Sequence, residues 1–531
     1  MAMMYDIIIK QGIIIDGTGS AGYKGDVAIT QGCIADIGAE LGTDADICID
    51  ATGKYVCPGF IDSHAHTDAL LLYCPDACGK VLQGVTTDVS GLCGTSLHPL
   101  AAEPFRQDAL KYRGSFLPKD LEARECTEAF ETFNPHLTTN MPMFIGQGTL
   151  RIACMGFADR KARPDELEAM KTKLDELMRQ GAFGLSSGLS YIPGAFTDTE
   201  ELIELCRVLV PYHGIYNTHM RNESNHVVQS VEEAIRIGRE SGCRVHISHH
   251  KIMGVRNHGA SKKTLELIEA ANRDGIEVTC DMYPYTAGSI GITSLVPTWV
   301  YAEGFDAAMS YLKNPGTRRR ILSELEQDDW ENVLLSCGAE HVTLCFAKNC
   351  ERYEGWNLAS IAEDKHVDTA TGLLDLLEEC GGTGTIIFHS LAEEDVNRVL
   401  QYPRCTVGTD AYARPYTGIL SAGKPHPRNY SGFVRYLKKY LLEDKLLPLE
   451  AGIRQITSLP AHIFDLDYRG ILQKGFIADI TIWNPATLSE EGTFLDPVRQ
   501  PKGIDYVLIN GRIIVDEGKF TGRLEGRMLR H

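Results

Sequence analysis

PDELEAMKTKLDELMRQG at residues 164–181, followed by AFGLSSG at 182–188, sets the reading of this chain. A proline opens an amphipathic helical pattern, a glycine closes it, and a strand-like run follows. The unit recurs three times. From Thr197 to Gly214 the pair Thr197 and Glu200 reads as a capping box, with Leu202, Leu205, Cys206 and Leu209 at helical spacing, and GIYNTHM follows. From about Ser224, Val227, Val228, Val231, Ala234 and Ile235 share one face up to Gly242, and RVHISHH follows. From Ser261 the pattern stops at Gly275, and IEVTCDMYPY follows. Each unit is about 30 residues long, one βα repeat. Repeats of this kind imply a parallel sheet covered by helices, either a closed barrel or an open doubly wound sheet.

Outward from this core the pattern changes. Residues 4–57 hold short runs broken by glycine, DIIIKQG, IIIDGTG and DVAITQG, and residues 467–518 do the same in ILQKGFIADITIWNP and IDYVLINGRIIVDEG. These are antiparallel β signatures. Neither end suffices for a domain alone. The expectation is one small β-sandwich domain built from 1–57 and 467–531, with a (β/α)8 TIM barrel inserted at 58–466. A barrel takes roughly 250 residues, and this chain has 531. Residues from about 290 to 395 fit the repeat poorly. A helical stretch around Arg318–Leu335 and the strand-like HVTLCFA and GTIIFHS read as an insertion near the barrel mouth, although GTIIFHS could also be a core strand.

Composition narrows the function classes. A net charge of −19 argues against nucleic acid or an anionic membrane surface as partner. Asp6 and Lys10 interrupt the first residues where a leader peptide needs an apolar core. No run of about 18 apolar residues is present, so no spanning helix is expected. The 16 cysteines are scattered singly, the usage of a reduced cytoplasmic protein.

The chemistry lies at the ends of the strand-like runs. In IDSHAHTD, His64 and His66 are two apart and on a strand would face the same side. GVTTDVSGLCG ends near Cys93, GIYNTHM holds His219, RVHISHH ends in His249 and His250, and CTVGTD ends in Asp410. Each residue alone is more often a satisfied polar or buried side chain than a ligand. Five runs ending in metal-capable side chains point together to a metal centre, because barrel sites gather at strand C-terminal ends. Strand alternation allows only one of His249 and His250 to face it.

His-x-His followed by His, His and Asp on later strands resembles the amidohydrolase superfamily. GVTTDVSGLCG, GAFGLSSGLSYIPG, THMRNE, ISHHK, DMYPYTAGS and PHPR resemble the N-acyl-D-amino-acid deacylases (D-aminoacylases), as does TSLPAHIFDLDYRGILQKGFIADITIWNP, so the likeness runs from about residue 4 to 527. The resemblance implies zinc held tightly by Cys93, His219 and His249, with His64, His66 and Asp410 forming a second, weaker metal position. It selects His249 over His250. Leu92 departs from the usual Asn, and GTDAY at 408–412 departs from the usual GSDG.

Zinc in such a site acidifies water from a pKa of ~15.7 towards ~7, and Asp410 is placed to carry the proton to the leaving amine. The implied substrate is a small-molecule N-acyl-D-amino acid whose carboxylate needs fixed donors. Tyr191, Lys251, Tyr283, Ser289 and Arg428 are the candidates. No Lys or Arg occurs between 284 and 304, while Leu295, Val296 and Trp299 do, which suits neutral apolar side chains. Two alternatives stand beside this reading. A cyclic amidohydrolase of dihydroorotase or hydantoinase type would need a bridging lysine, and none stands where Cys93 does. A non-catalytic barrel scaffold would be expected to have lost ligands.

Overall fold

A computed structural model describes residues 5–42, 44–117 and 121–531. Residues 1–4, where the stretch read for a leader begins, lie outside the described residues. Eight short strands run parallel: β1 (Phe60–Asp62), β2 (Val85–Asp88), β3 (Ile145–Gly146), β4 (Gly184–Gly188), β5 (Ile215–His219), β6 (Arg244–Ile247), β7 (Val278–Met282) and β8 (Cys405–Val407). Strands β3 to β8 form one six-stranded sheet in chain order, and β1 pairs with β2. The two pieces meet at seams that carry isolated bridges rather than a continuous ladder. Thr87 bridges Asn140 and Ser90 bridges Met143 on one side, and Ala65 bridges Ala411 on the other. The result is a (β/α)8 barrel whose ring of ladder hydrogen bonds is interrupted twice. Every residue of β4, β5 and β7 is buried, as strands covered on both faces require.

The helices start and stop for local reasons. In the helix Pro164–Arg179 proline sits at the first turn and the Glu166 carboxylate accepts the Arg163 N–H at 2.8 Å. Gly181, at φ +99°, lets the chain leave for β4. The next helix, Thr199–Leu209, is capped by Asp198, which accepts the Glu201 N–H at 2.9 Å. The expected cap, Thr197, instead accepts the Gln147 amide at 2.7 Å. Pro211 lacks the donor that would continue this helix, and a short 3-10 turn, Val210–Tyr212, follows.

The chain ends meet in one nine-stranded sheet. Tyr5–Ile14 pairs antiparallel with Tyr23–Thr30 but parallel with Ala45–Asp50 and Tyr55–Pro58, so the antiparallel signature holds only in part. Tyr55–Pro58 pairs on its other side with Ile480–Trp483, where the C-terminal segment enters. The sheet curls until its Cys33–Gly38 edge meets residues 475–478. Ile9, Val27, Ile34, Val56, Ile480 and Ile482 fill the space it encloses.

Between β7 and β8 lies a separate antiparallel sheet in which Gly384–His389 is flanked by Ala287–Gly291 and Val342–Ala347. GTIIFHS is therefore not a barrel strand. The helical stretch read around Arg318–Leu335 is two helices, Pro315–Glu324 and Val333–Cys337. Among the described residues no helix is long and apolar enough to cross a membrane.

Candidate metal centre

The candidate ligands all sit at or just beyond strand C-terminal ends. His64 and His66 follow β1, Cys93 follows β2, His219 closes β5, His249 follows β6 and Asp410 follows β8. Most lie past the strand, so pleat alternation does not orient them. Cys93, His249 and Asp410 instead take positive φ values of 50°, 33° and 50°. Such backbone costs about 1–3 kcal/mol per residue and persists where the surroundings over-determine it.

Cys93 Sγ lies 3.4 Å from His249 Nε2 and 3.9 Å from His219 Nδ1, and the two nitrogens are 3.0 Å apart. Tetrahedral zinc with bonds of ~2.3 Å to sulfur and ~2.0–2.1 Å to nitrogen sets S···N near ~3.6 Å and N···N near ~3.4 Å. The three donors match that spacing to within about 0.4 Å. His64 Nε2 lies 3.4 Å from the same sulfur and 3.8 Å from Asp410 Oδ1, which is 3.1 Å from His66 Nε2. Two donor sets thus share a wall, with Cys93 between them.

Other groups hold the outward nitrogens, leaving the inward ones free for a cation. His64 Nδ1 meets Asp281 Oδ2 at 3.3 Å, and Asp281 also takes His246 Nε2 at 3.0 Å and the His249 N–H at 2.9 Å. His219 Nε2 meets Ser190 Oγ at 2.8 Å. His249 Nδ1 lies 2.8 Å from Lys251 Nζ and 3.0 Å from Glu223 Oε1. His250 turns away to Thr264 Oγ1 at 2.8 Å, and burial lowers its pKa to about 4.

Charge states follow from burial and neighbours. Burial raises the Cys93 thiol well above the ordinary range, and the Asp410 charge adds to the rise. A cation at the sulfur reverses that, since a coordinating thiol is deprotonated. Burial, then Lys251, holds His249 well below the usual imidazole range, so it is neutral and able to ligate. Burial opposes ionisation of Asp410, but the Arg428 charge, with a hydrogen bond to His66, outweighs it and holds the carboxyl well below the usual range.

These groups border a cavity of about 520 Å³, and Cys93, His66, Asp410, Tyr191, Ser289 and Arg428 line it. Arg428 Nη2 sits 2.9 Å from Asp410 Oδ2, and its guanidinium lies 4.8 Å from the Tyr283 ring centroid. The Tyr191 ring lies 4.5 Å from that of His219, tilted by 50°. Lys251 and Tyr283 lie one layer beneath the lining. The Lys251 ammonium is held by Glu223 Oε2 at 2.5 Å, and the buried Tyr283 hydroxyl has no hydrogen-bond partner among the described residues.

Four residues absent from the sequence reading complete the arrangement. Glu223 stands four after His219, and Asp281 is an acid inside the buried β7. Asp62 and Lys80, both fully buried, form the third and fourth. Asp62 accepts the Thr409 N–H at 2.8 Å, the Thr409 hydroxyl at 2.6 Å, the His64 N–H at 3.2 Å and Lys80 Nζ at 2.5 Å. That cluster ties the turn holding His64 to the turn holding Asp410, across the β8–β1 seam.

Comparison with known proteins agrees with the geometry. Residues 48–116 and 404–515 match the Amidohydrolase family. D-aminoacylase of Alcaligenes xylosoxydans xylosoxydans is 36% identical over 531 residues, covering 99% of this chain and 97% of that one. N-acyl-D-aspartate deacylase of the same organism is 33% identical, covering 97% and 93%. The crystal structure of N-acyl-D-glutamate deacylase from Bordetella bronchiseptica, complexed with zinc and a phosphonate mimic of the reaction's tetrahedral intermediate, superposes with TM-score 0.83 at 31% identity over 100% of both chains. A hydantoinase from Arthrobacter aurescens, 14% identical with TM-score 0.55, shares the fold. Barrel and donor wall together are those of an amidohydrolase. Within that class the chain belongs to the N-acyl-D-amino-acid deacylase (D-aminoacylase) family.

Proposed function

We propose that this protein hydrolyses the amide bond of N-acyl-D-amino acids with zinc, using Cys93, His219 and His249 as the tight ligands and His64, His66 and Asp410 as a weaker second set. The observation that carries this is the convergence of Cys93 Sγ, His219 Nδ1 and His249 Nε2 at zinc spacing beside an ionised Asp410. Bound there, zinc would supply Lewis acidity, polarising the scissile carbonyl and acidifying water. The rest is this chain's own work. Asp410, kept charged by Arg428, accepts a proton from water and delivers it to the departing amine. Asp281, Ser190 and Glu223 fix the imidazoles. Arg428, Ser289 and Tyr191 from the lining, with Lys251 and Tyr283 behind them, hold the substrate carboxylate.

Neutral side chains suit the pocket. The 284–304 segment presents Ile290, Val296 and Tyr301 to it, and the acidic Asp329 and Glu331 line it too. The nearby arginines of the insertion are engaged elsewhere, Arg318 with Asp375 and Arg320 with Glu324. The catalytic unit is the 58–466 barrel with its insertion near the mouth, carried by the domain of 1–57 and 467–531. The free cysteines suit a cytoplasmic setting. The cyclic-amide alternative has only fold-level likeness behind it.

The test is hydrolysis of N-acetyl-D- and L-amino acids with metal quantified. N-acetyl-D-methionine should be cleaved faster than N-acetyl-D-glutamate, and L-isomers slowest. A preference for glutamate sinks the side-chain assignment, and no cleavage of any D-substrate sinks the function.

A further inference from the structure

We infer that the cavity has a cationic acyl-group subsite, built on Arg414 and Arg113, that selects N-acyl groups ending in a carboxylate. This rests on the deacylase reading above. Arg414 is 8% exposed and lines the cavity. Its Nη1 donates to the Leu420 carbonyl at 2.7 Å, while its buried Nε has no hydrogen-bond partner among the described residues. Arg113 also lines the cavity, donating from Nη2 to the Ser96 and Leu97 carbonyls at 3.1 and 3.4 Å. Among the described residues neither makes a salt bridge. Arg124 stands at the rim against the Tyr73 ring, 5.1 Å from its centroid.

The contrast with the reacting centre is the point. There Lys251 is matched by Glu223 at 2.5 Å and Arg428 by Asp410 at 2.9 Å. Among the described residues that line the cavity, Asp68 is the carboxylate acting on Arg113, and its Oδ1 accepts the Gly91 N–H at 3.2 Å. With Asp68 as the carboxylate beside them, two guanidinium groups leave the lobe an excess of positive charge that a ligand anion can meet. A carboxylate can accept from a guanidinium through both oxygens.

Topology says which part of the substrate arrives there. Lys251 and Tyr283 follow β6 and β7, whereas Asp68 and Arg113 follow β1 and β2 across the ring, and Arg414 follows β8, between the two sides. Leu420, which anchors Arg414, packs with Leu70 and Leu117 in the same wall. A trans amide sends its acyl chain and its amino-acid carbon in opposite directions. With the amino-acid carboxylate on the β6–β7 side, the acyl chain points into the arginine lobe. A succinyl group ends in the matching charge.

The experiment compares kcat/KM for N-succinyl-D-methionine, its neutral N-succinamoyl amide and N-acetyl-D-methionine, in wild type, Arg414→Gln and Arg113→Gln. The succinyl substrate should exceed its neutral amide by at least about tenfold, and that ratio should fall towards one in each variant whatever happens to absolute rates. Raised salt should also narrow it, as screening requires. Either variant suffices if the other does not fold. If wild type cleaves N-acetyl-D-methionine yet treats the succinyl and succinamoyl substrates alike, the subsite is refuted and the deacylase reading stands. If the arginine variants lose instead a preference for acidic amino-acid side chains, the lobe holds the wrong end of the substrate. If no N-acyl-D-amino acid is cleaved, both readings fall.

Discussion

Replacing Lys80 with methionine removes the ammonium from beneath the site while keeping the length of the chain. Lys80 and Asp62 are both 0% exposed. The substitution leaves the Asp62 carboxylate with the two backbone N–H groups of His64 and Thr409 and the Thr409 hydroxyl, but no counter-ion. Removing one partner of such a buried pair costs about 3–5 kcal/mol. That is a large part of the ~5–15 kcal/mol that holds a typical domain together. Asp62→Asn should cost a similar amount by stranding Lys80. The double variant should be more stable than the sum of the single losses allows, with a coupling of at least about 2 kcal/mol. Urea unfolding followed by tryptophan fluorescence gives the four corners of this cycle, and metal analysis of each folded variant shows whether the His64–Asp410 side still fills. Single variants within about 1 kcal/mol of wild type, with strictly additive effects, would refute the idea that this ion pair clamps the seam.

Three further outcomes are expected. Cys93→Ala should lose bound zinc and turnover together, and full zinc with normal turnover would remove Cys93 from the ligand set. Asp410→Asn should lower kcat by at least about 10²-fold while the tight zinc remains, to be read by steady-state kinetics beside metal quantification. Asp88, at the end of β2, is raised to about 7 by burial, with Asp62 adding to the rise and Lys80 opposing it. A raised carboxyl keeps its proton in the folded state after the unfolded chain has released it. Stability from this group is therefore present at acid pH and lost as pH climbs from about 4 to about 7. Asp88→Asn should flatten that fall, gaining stability at pH 8 and little at pH 5, as measured by denaturant midpoints.

The barrel was legible where its units are long. Helices such as Pro164–Arg179 show apolar spacing and a closing glycine, and β4, β5 and β7 are unbroken buried runs. Strands β1, β3 and β8 have 3, 2 and 3 residues, too few to carry a period, so only the neighbouring His-x-His marks β1 and Asp410 marks β8, while β3 has no mark. The metal-facing side chains were readable because chemistry and strand ends coincide in the sequence. Asp281 and Glu223 were not, although both lie inside motifs that carry the family likeness. They act by orienting other residues, and His64 meets Asp281 across 217 positions. Arg113 and Arg414 carry no sequence signal at all, because their lack of salt-bridge partners among the described residues exists only after folding.

The sheet shared by the two ends of the chain has a consequence during synthesis. Tyr55–Pro58 emerges early and pairs at once with Tyr5–Ile14, but its other neighbour, Ile480–Trp483, lies more than 400 residues downstream. At ~5–20 residues per second the ribosome needs roughly 20–80 s to deliver it. Throughout that interval the Val56 and Cys57 side of the strand presents open backbone donors and acceptors, the condition under which strand edges recruit other chains. Translation arrest or a nonsense codon anywhere before residue 480 would leave that edge open for good.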